Sequence, residues 1–311
     1  MATMKAVRIH EFGGPQRLAL DHVPIPTPAA DEVLVKVHAV SVNPVDLKTR
    51  AGQFPPVKRE QLPFTLGRDV SGVIERCGDA VRGWKPGDAV FAMLDQSRGG
   101  YAEYVALAAA LCAPKPSTLD HVQAAAVPLA ALTAWQGLFD HGKLGAGQSV
   151  LIHGGAGGVG HFAIQLAKSR GARVSTTVAS RDMEFASDLD ADVAVDYTTQ
   201  RFEDNLTPVD LVLDLIGGET QQRSWKLIKK GGALISTIAQ PKPELASEHK
   251  ARGALFFVEP NADQLRSIGQ LIDAEQVRVQ VSARFPLAQV GEAHQHLERT
   301  HTQGKVVLIV A

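Results

Sequence analysis

Cysteine is scarce in this chain. Its 311 residues hold two, Cys77 and Cys112, far apart in sequence. That excludes a disulfide-built scaffold and a thiolate cluster around a metal, and it fits a reducing, cytosolic setting. Net charge is scarce too: 32 Lys and Arg against 33 Asp and Glu leave a formal charge of -1. Such a balance offers no bulk field to nucleic acid or to an anionic membrane. Long apolar runs are also missing. The most apolar stretch, Ala124–Trp135, is short and contains Pro128, whereas a bilayer span needs about 20 apolar residues. Met1-Ala2-Thr3-Met4-Lys5 has no apolar signal core. No solenoid-period repeat and no low-complexity tail is visible. Together these absences predict a cytoplasmic protein without a nucleic-acid or membrane partner.

What is present predicts two domains, because one core stops growing at roughly 250–300 residues. The first third is β-rich. Lys5–His10 and Leu18–Val23 read as short strands, and Glu32–Val42 alternates apolar and polar residues as a half-buried strand does. Pro44 and Gly52 bracket a short helix. Ala89–Met93 and Tyr101–Leu107 read as further strands. Many short strands with Gly and Pro turns predict a barrel-like β domain. From about Leu119 the pattern changes. Asp120–Val127 and Leu129–His141 read as helices interrupted by Pro128. Strand and helix signals then alternate through Val193–Val195, Asp210–Asp214, Glu219–Lys229, Ala233–Thr237 and Ala254–Val258. That succession predicts a doubly wound parallel sheet of about six strands. Helical Ala262–Ala274 and Leu287–Arg299, with strands Arg278–Arg284 and Lys305–Val310, lie outside that count. They predict a return to the first domain. The expected division is 1–122, 123–260 and 261–311, the last part completing the first.

One stretch carries chemistry directly. Val150–His153 is a short apolar run, Gly154–Gly160 a glycine cluster, His161–Gly171 a helical pattern, and Arg173–Val178 a second apolar run. Gly155, Gly157 and Gly160 fit G-x-G-x-x-G between a strand and a helix, where that fingerprint binds dinucleotides. The first glycine serves the tight turn, the second lets a pyrophosphate approach, and the third lets helix and strand pack closely. Free N–H groups at the helix start hold phosphate.

A family resemblance spans nearly the whole chain. Its carriers are Asn43-Pro44-Val45-Asp46, Gly67-Arg68-Asp69-Val70-Ser71-Gly72, Gly99-Gly100-Tyr101-Ala102-Glu103-Tyr104, Leu132-Thr133-Ala134-Trp135, the glycine loop, Asp214-Leu215-Ile216-Gly217-Gly218 and Gly304-Lys305-Val306-Val307. In this ordered set the chain resembles the medium-chain dehydrogenase/reductases. Within them it looks like the zinc-free quinone oxidoreductase and enone reductase branch, to which zeta-crystallin belongs. The resemblance implies an α/β protein with a GroES-like β-barrel catalytic domain and a Rossmann cofactor domain, the active site in the cleft between them, and a homodimer. Zinc-bearing relatives have ligands where this chain has Asn43 and Arg68, and a third near Pro128–Leu129, where no Cys or His stands. A catalytic zinc site needs about three such ligands, so no metal is expected.

An NAD site places an acidic residue at the end of the second strand. Val178 stands there, followed by Ser180 and Arg181, with Tyr197 after the third strand. A hydroxyl, a guanidinium and a phenol suit a 2′-phosphate, so NADPH is the expected cofactor. An exposed helix-start charge is the plainer account of Arg181. The resemblance adds cofactor contacts from Asn43, Thr133, the loop residues Gly155, Ala156, Gly157, Gly158, Val159 and Gly160, then Leu215, Ile216, Gly217, Thr237, Ile238, Phe256, Phe257, Val258 and Lys305. Phe256 and Phe257 equally suit a core strand.

Three residues are catalytic candidates. Asn43 carries over as an amide donor to a carbonyl or quinone oxygen, and also suits a helix N-cap. Thr133 resembles the family threonine beside the nicotinamide, or is ordinary helix packing. Lys48 stands where several relatives have a tyrosine, and plant enone reductases of this branch have a nearby lysine. It holds an enolate oxygen, relays a proton, or is a solvated helix lysine. Phe54 matches another family tyrosine, which disfavours a tyrosine donor and leaves solvent protonation open. His153 reads as a hydrogen-bonded strand end. His294, His296 and His301 read as surface helix residues.

The leading expectation is an NADPH-dependent enzyme passing hydride to a quinone or an α,β-unsaturated carbonyl. A zinc-free alcohol or ketone oxidoreductase remains open, as does an NADPH-binding protein with a structural or sensing role.

Overall fold

The computed structural model describes residues 2–311. Strands β1 (Thr3–Ile9), β2 (Leu18–Pro24) and β3 (Glu32–Val42) come first, then helix α1 (Pro44–Arg50). Strands β4 (Phe64–Thr65), β5 (Asp69–Cys77), β6 (Ala89–Met93), β7 (Tyr104–Ala108) and β8 (Ala113–Pro114) lead to helices α2 (His121–Ala125) and α3 (Pro128–Trp135). Alternation follows: β9 (Ser149–His153), α4 (Gly160–Ser169), β10 (Arg173–Val178), α5 (Met183–Asp188), β11 (Val193–Asp196), α6 (Phe202–Asn205) and β12 (Val209–Asp214). It continues with α7 (Gly218–Ser224), β13 (Ile228–Ser236), α8 (Pro243–Glu248) and β14 (Arg252–Leu255). The chain ends through α9 (Ala262–Asp273), β15 (Val281–Pro286), α10 (Val290–Arg299) and β16 (Lys305–Ile309).

Two compact units result. One comprises Met1–Leu129, Glu259–Ala274 and Val279–Ala311, the other Ala130–Val258 and Glu275–Arg278. In the first, a sheet runs in the order β15-β16-β3-β5-β6-β8 with β7 also on β3, and a smaller one in the order β2-β1-β4. Strand β3 occupies the range its alternation predicts, yet it is not half-buried. Lys36 is its one exposed residue and His38 its one intermediate; the others are buried. The reason is position: β5, β7 and β16 all pair with it, so both faces meet core residues such as Val7, Val70, Leu107 and Leu308. Apolar burial at about 25 cal/mol per Å² makes such a central strand the anchor of its sheet.

The second unit is a six-stranded sheet in the order β11-β10-β9-β12-β13-β14, every neighbour parallel. This doubly wound order turns around β9 and β12, the switch point where such sheets bind ligands. Pro128 does not merely interrupt two helices. It opens α3, where its missing N–H costs nothing, and a π-helical turn, Gln136–His141, extends that helix. The helix expected over Glu219–Lys229 stops early, because Ile228 already pairs with Val209 and begins β13. No helix of the described residues is long and apolar enough to cross a membrane.

Candidate functional site

In the second unit, β9 ends at His153 and the chain turns through Gly154, whose φ is +75°. The sharp turn therefore belongs to Gly154, one residue before the fingerprint's first glycine. Gly155 and Gly160 serve close packing instead. A Cβ on Gly155 would stand 2.1 Å from Thr176 Oγ1, and one on Gly160 2.1 Å from the Gly154 carbonyl oxygen. Gly157 differs: its Cβ would meet only that same oxygen, at 3.3 Å. Space remains where a backbone-hugging ligand would lie. The loop leads into the N-terminus of α4, whose first N–H groups have no intrahelical acceptor and carry the positive end of the helix dipole. The residues fit a dinucleotide's pyrophosphate. Ala156 is buried, and Gly157, Gly158 and Val159 are half-buried along this cradle.

Neighbouring strand ends extend the surface. Asp214, fully buried, accepts from the amides of Ile216 (3.1 Å) and Gly217 (2.7 Å), and from Gln221 and Ser236 side chains. It thereby shapes the Leu215–Gly217 turn. Ile216 and Ile238 are left exposed, and Ile216 lies beside Gly154. Thr237 is half-buried and donates its amide to the Asp214 carbonyl. Phe256 is core, whereas Phe257 is 70% exposed and Val258 half-buried. Thr133 is buried on α3. His153 is a strand-end residue held by Thr177 (3.0 Å) and Ser224 (2.8 Å), and burial lowers its pKa to about 4.

At the far end, Val178 of β10 pairs with Asp196 of β11. Ser180, Arg181 and Tyr197 are exposed there. Ser180 is already engaged: its hydroxyl lies 2.5 Å from Asp196 Oδ2. Sequence reasoning missed Asp196, because the residues that meet it are separated by a helix.

In the first unit, Asn43 stands at the N-cap position of α1 with an extended backbone. The cap bond runs the other way from the expected one: Asp46 Oδ2 accepts from the Asn43 amide at 2.8 Å. The Asn43 side chain is committed elsewhere. Its Nδ2 donates to Asp69 Oδ2 (2.9 Å) and Ser41 Oγ (3.3 Å), and its Oδ1 accepts from Lys305 Nζ. Asp69 also takes Ser41 Oγ and the Leu129 amide (2.6 Å). Lys305 and Asp69 thus form a buried pair of opposite charge bridged by an amide. Burial lowers the Lys305 pKa, while Asp69 and Asp46 oppose that shift. Asn43 has no amide hydrogen left for an acceptor in this arrangement. Lys305, one of the expected cofactor contacts, is buried in that network. Lys48 is exposed on α1.

A second chain of bonds runs behind α1. Arg50 donates to His294 Nδ1 (3.1 Å) and to Glu298 (2.5 Å). Tyr101 Oη lies 3.2 Å from both His294 Nε2 and Asp46 Oδ2. His294 is therefore no surface residue. It is fully buried, since Val290, Ala293 and His294 share the inner face of α10.

A zinc ion does not fit here. Arg68, which burial holds below its usual pKa, turns its guanidinium onto the Leu94 carbonyl, and Asn43 carries the Lys305 ammonium. Among the described residues no three His, Cys, Asp or Glu side chains group so as to hold a metal.

Comparison with known proteins places these features. The alcohol dehydrogenase GroES-like domain family matches residues 29–117 and the zinc-binding dehydrogenase family residues 189–308. The chain is 36% identical to an NADPH-dependent alkenal/one oxidoreductase, chloroplastic, of Arabidopsis thaliana, over 98% of this chain and 79% of that protein. It is 32% identical to a quinone oxidoreductase of Rattus norvegicus, over 97% of this chain and 96% of the relative. The solved quinone oxidoreductase of Coxiella burnetii superposes with a TM-score of 0.94 at 36% identity, covering all of both chains. The GroES-like unit, the Rossmann unit and these matches agree: the chain belongs to the zinc-free quinone and enone oxidoreductase branch of the medium-chain dehydrogenase/reductases.

Proposed function

We propose that this protein is an NADPH-dependent oxidoreductase that reduces a quinone or an α,β-unsaturated carbonyl without a metal. The observation that carries the reading is the glycine cradle, closed at Gly155 and Gly160 and open at Gly157, leading into the α4 N-terminus. When bound, NADPH supplies the hydride. The protein then has to bind, orient and polarise. The backbone of Ala156–Gly160 holds the pyrophosphate. Arg181, a permanent two-pronged cation, takes the 2′-phosphate, with Tyr197 beside it. Ile216, Ile238, Phe257 and Val258 offer the apolar wall that keeps water from the nicotinamide end, with Thr133 and Thr237 as polar contacts.

Reduction of an enone adds hydride at the β-carbon and a proton at the α-carbon. We assign the acceptor oxygen to Lys48, an exposed cation able to stabilise developing enolate charge or pass a proton. Asn43, held by Lys305 at the N-cap of α1, positions the start of the helix that carries Lys48. A metal alkoxide route is disfavoured, because the Arg68 guanidinium and the Lys305 ammonium on Asn43 put fixed cations where a metal would sit. We also assign the chain to the cytoplasm, in keeping with its two widely spaced thiols, and, on the family resemblance, to a homodimer. Light scattering reads the second assignment as twice the 33.2 kDa chain mass.

Steady-state NADPH oxidation against quinones, enals and saturated ketones tests the activity. Turnover with quinones or enals supports the reading. Turnover with saturated ketones alone reassigns the protein to carbonyl reduction. Tight NADPH binding with no turnover on any acceptor removes the enzyme assignment.

A further inference from the structure

The adenosine end of the cradle holds a carboxylate in an unusual place. Dinucleotide folds of this strand order read the ribose at the end of the second strand, with an acidic side chain for a 2′-hydroxyl or a nearby arginine for a 2′-phosphate. Here the second strand, β10, ends in Val178, which is buried against Ala156 and Ala186. It offers nothing to a ribose. The adjacent strand supplies what it lacks, because Asp196 is Val178's register partner.

The Asp196 carboxylate is fixed from several sides. Oδ2 accepts from Ser180 Oγ at 2.5 Å and Thr199 Oγ1 at 2.9 Å. Oδ1 accepts from the Thr198 amide at 2.9 Å and Thr198 Oγ1 at 2.6 Å. Ser180 Oγ and Thr198 Oγ1 also lie 2.8 Å apart. These bonds, Ser180's first, hold the carboxyl well below its usual range. An ionised carboxylate accepts only. The Ser180 hydrogen is therefore spent inside the cluster, and only lone pairs remain on Ser180 for a ligand.

That direction has a consequence for recognition. A lone pair suits a ribose 2′-hydroxyl, which donates. It opposes a 2′-phosphate, whose oxygens accept, and the Asp196 charge adds to the opposition. Arg181 favours the phosphate. The same strand ends thus carry one reader for each cofactor. We propose that Asp196 is a selectivity-determining positioning residue: acting through Ser180, it sustains NADH binding and limits the preference for NADPH that Arg181 confers. This rests on the NADPH reading above.

The test uses Asp196→Asn and Ser180→Ala in the full chain, with NADPH and NADH dissociation constants measured by titration. An asparagine keeps its Oδ1 for the Thr198 amide, but its Nδ2 donates to Ser180 and turns that hydroxyl's hydrogen outward. The expected result is a rise of about tenfold in the NADPH-to-NADH preference of Asp196→Asn, the worth of roughly one charge-assisted bond. Ser180→Ala, an exposed and structurally mild change, should weaken NADH and leave NADPH equal or tighter. An unchanged preference in Asp196→Asn, equal loss of both cofactors, or a loss confined to NADPH in Ser180→Ala would overturn the proposal. A parent protein that binds neither nucleotide would instead remove the NADPH reading and this proposal with it, so the two failures are distinct.

Discussion

Tyr101 Oη sits 3.2 Å from His294 Nε2, and that contact fixes the direction of a whole bond chain. Arg50 only donates, so His294 Nδ1 accepts from it and the ring carries its hydrogen on Nε2. His294 then donates to Tyr101, and Tyr101 donates to Asp46. Neither end can be reversed without leaving a buried donor unpaired.

Acid sensitivity follows from this arrangement. Burial, with Arg50 adding to it, lowers the His294 pKa to about 3, and burial lowers those of His121 and His153 to about 4. Each is depressed relative to about 6.5 in the unfolded chain. The unfolded state therefore binds more protons, and the stability these neutral imidazoles contribute is lost as pH falls from about 6.5 toward 4. Asp46 opposes this, because burial raises its pKa to about 6 and the folded state gains a proton over part of that window. Three histidines outweigh one carboxyl, so stability should decline with a net slope between pH 6.5 and 4.5. Denaturant unfolding at a series of pH values measures it. His294→Gln, which still accepts from Arg50 and donates to Tyr101, should flatten the slope; an identical slope would remove His294 from the account.

Gly157 and Gly160 should fail in different ways when replaced by alanine. The new methyl of Gly160→Ala meets the Gly154 carbonyl oxygen at 2.1 Å, so the loop or α4 has to move. Overpacking of this sort costs about 1–3 kcal/mol. Gly157→Ala meets the same oxygen only at 3.3 Å. On the proposed reading, its methyl would project into the space left for the pyrophosphate. Thermal unfolding should drop by several degrees for Gly160→Ala and hardly change for Gly157→Ala, while NADPH affinity falls at least about tenfold in the latter. Equal melting losses in both variants would show that Gly157 serves packing and not the ligand.

Local features were legible in the sequence; distant pairings were not. Glycine spacing placed the β9–α4 cradle, and alternation delimited β3 residue for residue. The half-buried reading of β3 failed because period-two alternation cannot report how many strands pair with it. Burial of His294 had a signal in the sequence: Val290, Ala293, His294 and Leu297 follow the spacing of an apolar helix face. Asp196 had a weaker one, a carboxylate followed by Tyr197 and two threonines at a strand end. The contact between Lys305 and Asn43 had none, since 262 positions separate them and only the docking of β16 on β3 brings them together.

That long-range pair gives a stability prediction. Lys305→Met leaves the Asn43 carbonyl oxygen and the buried Asp69 charge without their cation. Breaking a buried pair from one side costs about 3–5 kcal/mol. Removing both charges in Lys305→Met with Asp69→Asn should cost less than the two single losses added together, with a coupling of about 1–3 kcal/mol. Melting of the four proteins closes the cycle. Strict additivity would mean that Asn43 does not transmit the charge between them.

Lys48 gives the sharpest catalytic prediction. It lies exposed on α1, and its backbone, not its side chain, holds the following turn through a 2.8 Å bond from the Gln53 amide. Lys48→Met should therefore leave melting within about 0.5 kcal/mol of the parent. If the ammonium serves the acceptor oxygen, kcat for an enal falls by about a hundredfold, the scale of positioned acid–base groups. Lys48→Arg separates the two roles. A guanidinium keeps the charge but does not give up its proton. Retained turnover in Lys48→Arg assigns Lys48 to enolate stabilisation, and loss matching Lys48→Met assigns it to proton transfer. A Lys48→Met enzyme within twofold of the parent would take Lys48 out of the reaction and leave the proton to solvent.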